Sequence, residues 1–306
     1  MPKLFRSAIV ALALAFFASA PAFAAIPPPL PAASATFDVG SLHVQQFGSG
    51  SRSLIFIPGL TCGPWEWSGE IARLAPHYTI YALTLPGFDG RPAIAGRLFT
   101  TVTADFWKLL AQKQIAKPIV IGHSLGATTG FMLATQHPER LGGVVALDGL
   151  PIFPTNIFST PAALKPQIEA GAAQMAAVKQ ADFAAYEKTG SLPYLVTAPS
   201  DVEAIARLAG KSDPKASARW FEEDMLLDLR PDLAKATVPI VLLAPYDFAL
   251  EGKYAPTADA KKAFYAGIVK NAPNVTIVTI PSARHFAMYD QPKATSDAID
   301  AFLATH

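Results

Sequence analysis

The sequence predicts an α/β protein: a mostly parallel, twisted sheet flanked by helices and interrupted once by a helical insertion. Three observations lead there. Residues 117–135 run from a short β-branched stretch, Ile119–Ile121, into small and apolar residues at helical spacing: Ala127, Gly130, Phe131 and Ala134. An apolar run too short for a helix reads as a strand buried on both faces of a parallel sheet. The same alternation of strand and helix occupies residues 36–150 and resumes at Val238. Between these blocks, residues 151–234 contain no β-rich run and read as a set of helices.

The turn between the Ile119–Ile121 strand and its helix is Gly122-His123-Ser124-Leu125-Gly126. A serine on so tight a strand-to-helix turn is driven towards positive φ, which is costly for a residue with a Cβ. The residues two before and two after it crowd each other and must be nearly free of side chain, and both are glycine. The Ser124 hydroxyl is then exposed at the tip. The N–H of Leu125 points the same way from a helix N-terminus, where partial positive charge favours an anion. His123 is expected to point its side chain away from this tip.

Composition bounds the rest. The chain has 306 residues, 51% hydrophobic and 16% charged, with net charge +1. That supplies a sizeable core and argues against disorder. No Lys/Arg cluster suggests nucleic acid as a partner. Six scattered histidines and one cysteine offer no metal-ligand spacing. Cys62 reads as a small buried hydrophobe.

Residues 1–24 read as a cleavable export signal. Lys3 and Arg6 form a basic start, Ala8 to Phe17 is an apolar run shorter than a membrane span, and Ala22-Phe23-Ala24 places small residues before a cut at Ala25. An uncleaved N-terminal anchor is the competing reading. Cleavage would take the net charge from +1 to −1. It would release a periplasmic or secreted protein with no stable membrane anchor. Residues 25–35 are a Pro-rich arm, expected to be extended.

Strands are expected at Thr36–Val39, Leu42–Phe47, Leu54–Ile57, Tyr78–Leu85, Val144–Leu147, Ile240–Ala244 and Asn274–Ile280. Helices are expected over residues 68–75, with Trp67, Ile71 and Leu74 on one face, and over Thr101–Gln114. In the second, Thr103 is a candidate cap and Val102, Phe106, Leu109 and Leu110 share one face. A final helix spans about Gln291–Ala304, with Pro292 near its first turn. In the insertion, helical stretches are expected at Pro161–Gln180, Ala181–Lys188, Asp201–Ala209 and Ala216–Leu227.

Three reactive side chains fall just beyond strand ends, where open parallel sheets collect them. Ser124 follows the Ile119–Ile121 strand, Asp247 the Ile240–Ala244 strand, and His285 the last strand. A serine hydroxyl becomes a competent nucleophile when a neutral imidazole takes its proton, and a carboxylate fixes the imidazole tautomer. Asp148 also follows a strand and rivals Asp247 for the acid; Asp247 is favoured.

The Gly122–Gly126 turn resembles the nucleophile elbow of the α/β-hydrolase superfamily, and the order Ser124, Asp247, His285 is similar to that family's triad order. The resemblance covers residues 36–306 and implies an α/β-hydrolase fold. Its core would be residues 36–150 and 235–306, and residues 151–234 would be a helical cap over the active site. It implies an oxyanion hole made by the backbone N–H groups of Leu60, in the Pro58-Gly59-Leu60 turn, and Leu125. Pro58 stands where the family often has His, Thr84 where Asp is common, and Asp89 where a second Gly is common. In the cap, Phe153, Phe158, Met175, Phe183, Tyr186, Tyr194, Trp220 and Met225 are candidates for lining a pocket, though core packing is the commoner role.

The expected function is an exported serine hydrolase that cleaves a small carboxylic ester or lactone through an acyl-serine, with no cofactor and no metal. Alternatives are another reaction class on the same scaffold, such as a carbon–carbon bond hydrolase or a cofactor-free perhydrolase, or a non-catalytic binding protein. Oligomeric state is open.

Overall fold

The computed structural model of the protein describes residues 28–306; the export segment at 1–24 and the first residues of the Pro-rich arm lie outside them. Of the arm, Leu30 and Ala33 pack against the core.

The first half of the chain holds β1 (Ala35–Val39), β2 (Leu42–Phe47), β3 (Ser53–Ile57), α1 (Ser68–Leu74), β4 (Thr79–Thr84), α2 (Leu98–Gln112), β5 (Ile119–His123), α3 (Leu125–Gln136) and β6 (Gly143–Leu147). A helical segment follows, with α4 (Pro161–Ala176), α5 (Phe183–Thr189), α6 (Leu192–Leu195), α7 (Pro199–Ala209) and α8 (Pro214–Met225). The chain then returns to the sheet through β7 (Ile240–Tyr246), α9 (Phe248–Glu251), α10 (Ala258–Val269), β8 (Val275–Pro281), α11 (Ala287–Asp290) and α12 (Pro292–Thr305).

The eight strands form one sheet in the order β1-β2-β4-β3-β5-β6-β7-β8. β1 pairs antiparallel with β2, and β2 with β4; every later pairing is parallel. Because side chains alternate across a strand, each central strand feeds two cores. Ile55 and Ile57 of β3 pack with Phe106 of α2 and Phe131 of α3. Leu54 and Phe56 pack on the opposite face with Ile71 of α1 and Ile299 of α12. From β3 the chain winds first to β4 on one side, then to β5 on the other. Loops leaving the C-terminal ends of β3 and β5 therefore diverge, and the crevice between them is where open sheets of this kind place ligands.

Two local expectations need correction. Thr103 does not cap α2. It lies inside the helix and donates its hydroxyl to the Phe99 carbonyl at 2.9 Å. The N-terminus is capped instead by the Glu223 carboxylate of α8, which accepts from Leu98 N–H at 2.9 Å and Phe99 N–H at 3.2 Å. A distant partner satisfies the free N–H groups, so no local cap is required. In the helical segment, the long stretch expected to reach Gln180 ends at Ala176, and α6 was not foreseen.

The helical segment is tied down over the C-terminal edge of the sheet. Ser212 Oγ donates to the Thr61 carbonyl at 2.9 Å and accepts from Asp89 N–H at 3.0 Å, joining the turns after β3 and β4. Trp220, fully buried on α8, donates its indole N–H to the Pro86 carbonyl at 3.1 Å. Beneath this segment lies a cavity of about 560 Å³.

Candidate functional site

The elbow follows from sterics. Ser124 has φ +53° and ψ −120°, a conformation stable only when its surroundings fix it. A Cβ on Gly122 would collide with the Gly126 carbonyl, and one on Gly126 with the carbonyls of Ile57 and Pro58. The second glycine thus seats the start of α3 against the turn after β3. Ser124 N–H donates to the Leu147 carbonyl at 2.9 Å, anchoring the turn to β6. Ser124 itself lines the cavity.

The next strand end repeats the geometry. Asp148, directly after β6, has φ +42°, and its N–H donates to the Leu243 carbonyl at 3.0 Å. Gly149 follows, and a Cβ there would strike the Ser124 carbonyl. Asp148 is thereby held beside the elbow, and it too lines the cavity.

His285 reaches this point by a loop that folds back from β8. Ala283 N–H donates to the Tyr246 carbonyl at 3.3 Å and Phe286 N–H to the Leu195 carbonyl at 2.9 Å, carrying the loop across the end of β7. His285 Nδ1 then lies 2.6 Å from Asp148 Oδ2. Tyr265 of α10 donates its hydroxyl to Asp148 Oδ1 at 3.0 Å.

The expected acid is therefore corrected. Asp247 does not meet His285. Its Oδ2 accepts from Arg284 Nε at 2.7 Å and its Oδ1 from Ala249 N–H at 3.0 Å at the start of α9. Arg284 is the residue before His285, and its guanidinium also donates to the Pro193 and Val196 carbonyls at 2.9 and 3.2 Å. Asp247 thus fastens the loop that Asp148 reaches chemically.

The electrostatics suit proton transfer. Burial pushes the Asp148 carboxyl up, but the Lys261 ammonium, the His285 bond and the Tyr265 hydroxyl outweigh it. Together they hold Asp148 well below the usual carboxylate range. His285 is pushed down from its ordinary value, first by burial and then by the neighbouring His123, against the opposing pull of Asp148. A neutral imidazole oriented by a carboxylate is the result.

His123 needs the second correction. Its ring does not point away; it lies under that of His285, with centroids 4.5 Å apart. Its Nε2 is 3.1 Å from the His285 carbonyl oxygen and its Nδ1 is 3.2 Å from Glu66 Oε2. Glu66, only 1% exposed, also accepts from Gly59 N–H at 3.0 Å. A buried strut therefore runs from the turn after β3, through Glu66 and His123, to the backbone of His285. In that turn Gly59 N–H is taken by Glu66 and Cys62 N–H by the Gly59 carbonyl. Among the described residues, Leu60 N–H between them donates to no protein group. Leu125 N–H opens α3 ahead of the helix ladder. The Cys62 thiol is buried, and burial together with the carboxylates of Glu66, Glu187 and Asp89 raises its pKa well above normal, so it offers no thiolate.

Of the aromatic and methionine residues expected to line a pocket, Phe153, Met175 and Tyr186 do so. Phe183 and Trp220 are buried in the packing of the helical segment, and Phe158 and Tyr194 are exposed. Among the described residues no group of His, Cys, Asp and Glu side chains is arranged to hold a metal.

The family model described as "Alpha/beta hydrolase family" matches residues 54–298. The chain belongs to this family. The pimeloyl-[acyl-carrier protein] methyl ester esterase of Pectobacterium carotovorum subsp. carotovorum (strain PC1) is 26% identical over 271 residues, covering 86% of this chain and 99% of that protein. The 2-(acetamidomethylene)succinate hydrolase of Mesorhizobium japonicum is 23% identical over 277 residues, covering 87% and 93%. Among solved structures, a thermophilic esterase from Thermogutta terrifontis superimposes with TM-score 0.72 at 18% identity, over 89% of this chain and 99% of that one. The enol-lactonase from Burkholderia xenovorans LB400 gives 0.68 at 20% identity, over 90% and 100%. At these identities the structural likeness speaks for the fold of this α/β hydrolase. The relatives are hydrolases, several of them esterases, and this chain is accordingly a hydrolase.

Glu66 and the structural place of His123 escaped sequence reading. A carboxylate between two tryptophans destined for the core was the available signal, because an unpaired charge is not buried without a partner.

Proposed function

We propose that this α/β hydrolase cleaves a carboxylic ester, or a lactone, through an acyl-serine intermediate formed on Ser124. The observation that carries the reading is the 2.6 Å contact between His285 Nδ1 and Asp148 Oδ2 at the rim of the cavity that Ser124 lines. With Nδ1 engaged by the carboxylate, His285 keeps Nε2 free to act as base.

Ser124 Oγ attacks the ester carbonyl carbon while His285 Nε2 takes its proton. The carbonyl oxygen becomes an oxyanion, and the N–H groups of Leu60 and Leu125 receive it. Such donors are each worth about 10²–10³ in rate. Collapse breaks the bond to the leaving oxygen, which takes the proton from His285 and departs as the alcohol. Water then repeats the sequence on the acyl-serine and releases the acid and Ser124. Asp148 stabilises the imidazolium in both halves. The names of the esterase and enol-lactonase relatives support an oxygen ester over a carbon–carbon bond.

The helical segment, taken as the cap of residues 151–234, would shape the acyl or alcohol pocket. We infer also that residues 1–24 direct export and are removed after Ala24; N-terminal sequencing of the protein from a periplasmic fraction would check this. Fluorophosphonate labelling together with hydrolysis of p-nitrophenyl butyrate tests the main reading. The protein should label and turn over the ester, and Ser124→Ala should do neither. Labelling at full strength in Ser124→Ala would overturn it.

A further inference from the structure

Two carboxylates from the helical segment enter the Ser124 cavity, and one of them, Glu187, does so without a partner among the described residues. Glu187 on α5 is 7% exposed and lines the cavity. Among the described residues it makes no hydrogen bond or ion pair. Its charge acts on the Cys62 thiol, two residues past Leu60. Asp224 on α8 is half-buried and also lines the cavity, beside the Thr128 hydroxyl. Thr128 is one turn along α3 from Ser124, and its own proton goes to the Leu150 carbonyl at 3.1 Å. No lysine or arginine lines the cavity.

An isolated carboxylate in an apolar wall is expensive to keep ionised. Burial accordingly pushes both groups up to about 7. Helices α5 and α8 bring them in through one small apolar cluster containing Phe183, Ala218 and Met175. With these carboxylates and no lysine or arginine, the wall that the helical segment gives the cavity is the inverse of a site for an anionic substrate. A ligand ammonium would supply the counter-charge that Glu187 lacks.

We propose that Glu187 forms an ammonium-binding subsite in the Ser124 cavity, selecting esters whose acyl or alcohol part carries a basic amine. The proposal deepens the ester-hydrolase reading and rests on it for the position of the scissile bond. The amine, bound at the Glu187 carboxylate, would set the ester carbonyl against Ser124. Neutral esters would bind without that contact, and esters bearing a carboxylate would be repelled.

The test compares p-nitrophenyl esters of aminocaproic, heptanoic and adipic acids, which place an ammonium, a methyl and a carboxylate at similar reach. The wild-type kcat/KM should rank ammonium over neutral by at least about tenfold, with the carboxylate ester last. In Glu187→Gln the ammonium preference should shrink to within about threefold, while the carboxylate ester gains. An ammonium ester turned over no faster than the neutral one, or an equal loss on all three esters in Glu187→Gln, overturns the subsite. Thermal unfolding with hexylammonium added separates its failure from that of the ester reading. The additive should raise the wild-type midpoint more than that of Glu187→Gln even if no ester is cleaved. Equal shifts in the two proteins also overturn it.

Discussion

The ends of β6 and β7 lie side by side, each carries an aspartate one residue past the strand, and they do different work. Asp148 sits at φ +42° with its carboxylate on His285 and Tyr265. Asp247 sits in extended backbone, caps α9 and holds Arg284. One strand's displacement decides the difference. The loop after β8 crosses the end of β7 before the imidazole turns down, so the nearer strand meets residue 284 and the farther strand meets residue 285. Parallel topology brings reactive groups to one edge of the sheet, but the path of the return loop chooses among them.

The sharpest way to break this contrast is Asp148→Asn. The substitution preserves shape but presents an amide to Nδ1, favouring the wrong tautomer of His285. A fall in kcat/KM of about 10⁴ is expected, as for the acid of a serine triad. Assay with p-nitrophenyl butyrate would show it, with circular dichroism confirming that the fold is retained. Activity within tenfold of wild type would remove Asp148 from the mechanism.

Next in size is the strut beneath the imidazole. Glu66→Ala strands the Gly59 N–H and His123 Nδ1 inside the core, and each orphaned buried group costs about 1–3 kcal/mol. Urea unfolding should show a loss of about 2–4 kcal/mol on that basis. Because the strut ends on the His285 carbonyl and on the turn of Leu60, kcat should fall about tenfold with KM little changed, the sign of an interaction felt in the transition state.

The pH profile gives a smaller effect with a definite sign. In the proposed mechanism the active form of His285 is the neutral imidazole, and burial together with His123 disfavours its cation. With a neutral ester, kcat/KM should rise with pH through an apparent pKa below the ordinary histidine value of about 6.5 and then level off. In Asp148→Asn the residual activity should rise at still lower pH, because the charge that favours the imidazolium is gone. A limb centred above the ordinary value would contradict the environment described for His285.

Much of this was legible in the sequence, for local reasons. Each of the eight strands lies within a residue or two of its predicted place, because β-branched apolar runs between turn residues have few other uses. The Ser124 elbow could be read because its demands fall on residues two apart in the chain. The acid could not be read that way. Nothing between residues 148 and 285 reveals which strand end the last loop will overlie. Gly149, forced to lack a side chain by the Ser124 carbonyl, was the one sign that Asp148 stands beside the elbow. The same distinction separates the α2 cap from its sequence: Thr103 is a sound local choice, and Glu223 of α8 pre-empts it. Glu66 was hidden for a related reason, since its partners at 59 and 123 come from different loops.

The smallest expected effect completes the comparison. Asp247→Asn removes the charge from one side of the Arg284 pair and leaves one acceptor oxygen, which can serve Arg284 Nε or Ala249 N–H but not both. Arg284 retains the Pro193 and Val196 carbonyls, and the backbone bonds of Ala283 and Phe286 still guide the loop. Both side chains of the pair are partly open to solvent, so screening limits its worth to about 1 kcal/mol. Thermal unfolding should therefore drop by only a few degrees, and kcat/KM should fall less than tenfold, with no shift in the acid limb of the pH profile. A loss as deep as that of Asp148→Asn would mean that the loop bends towards β7 during turnover and that the two aspartates exchange roles. A loss confined to stability would place Asp247 among the groups that hold the imidazole's loop in register.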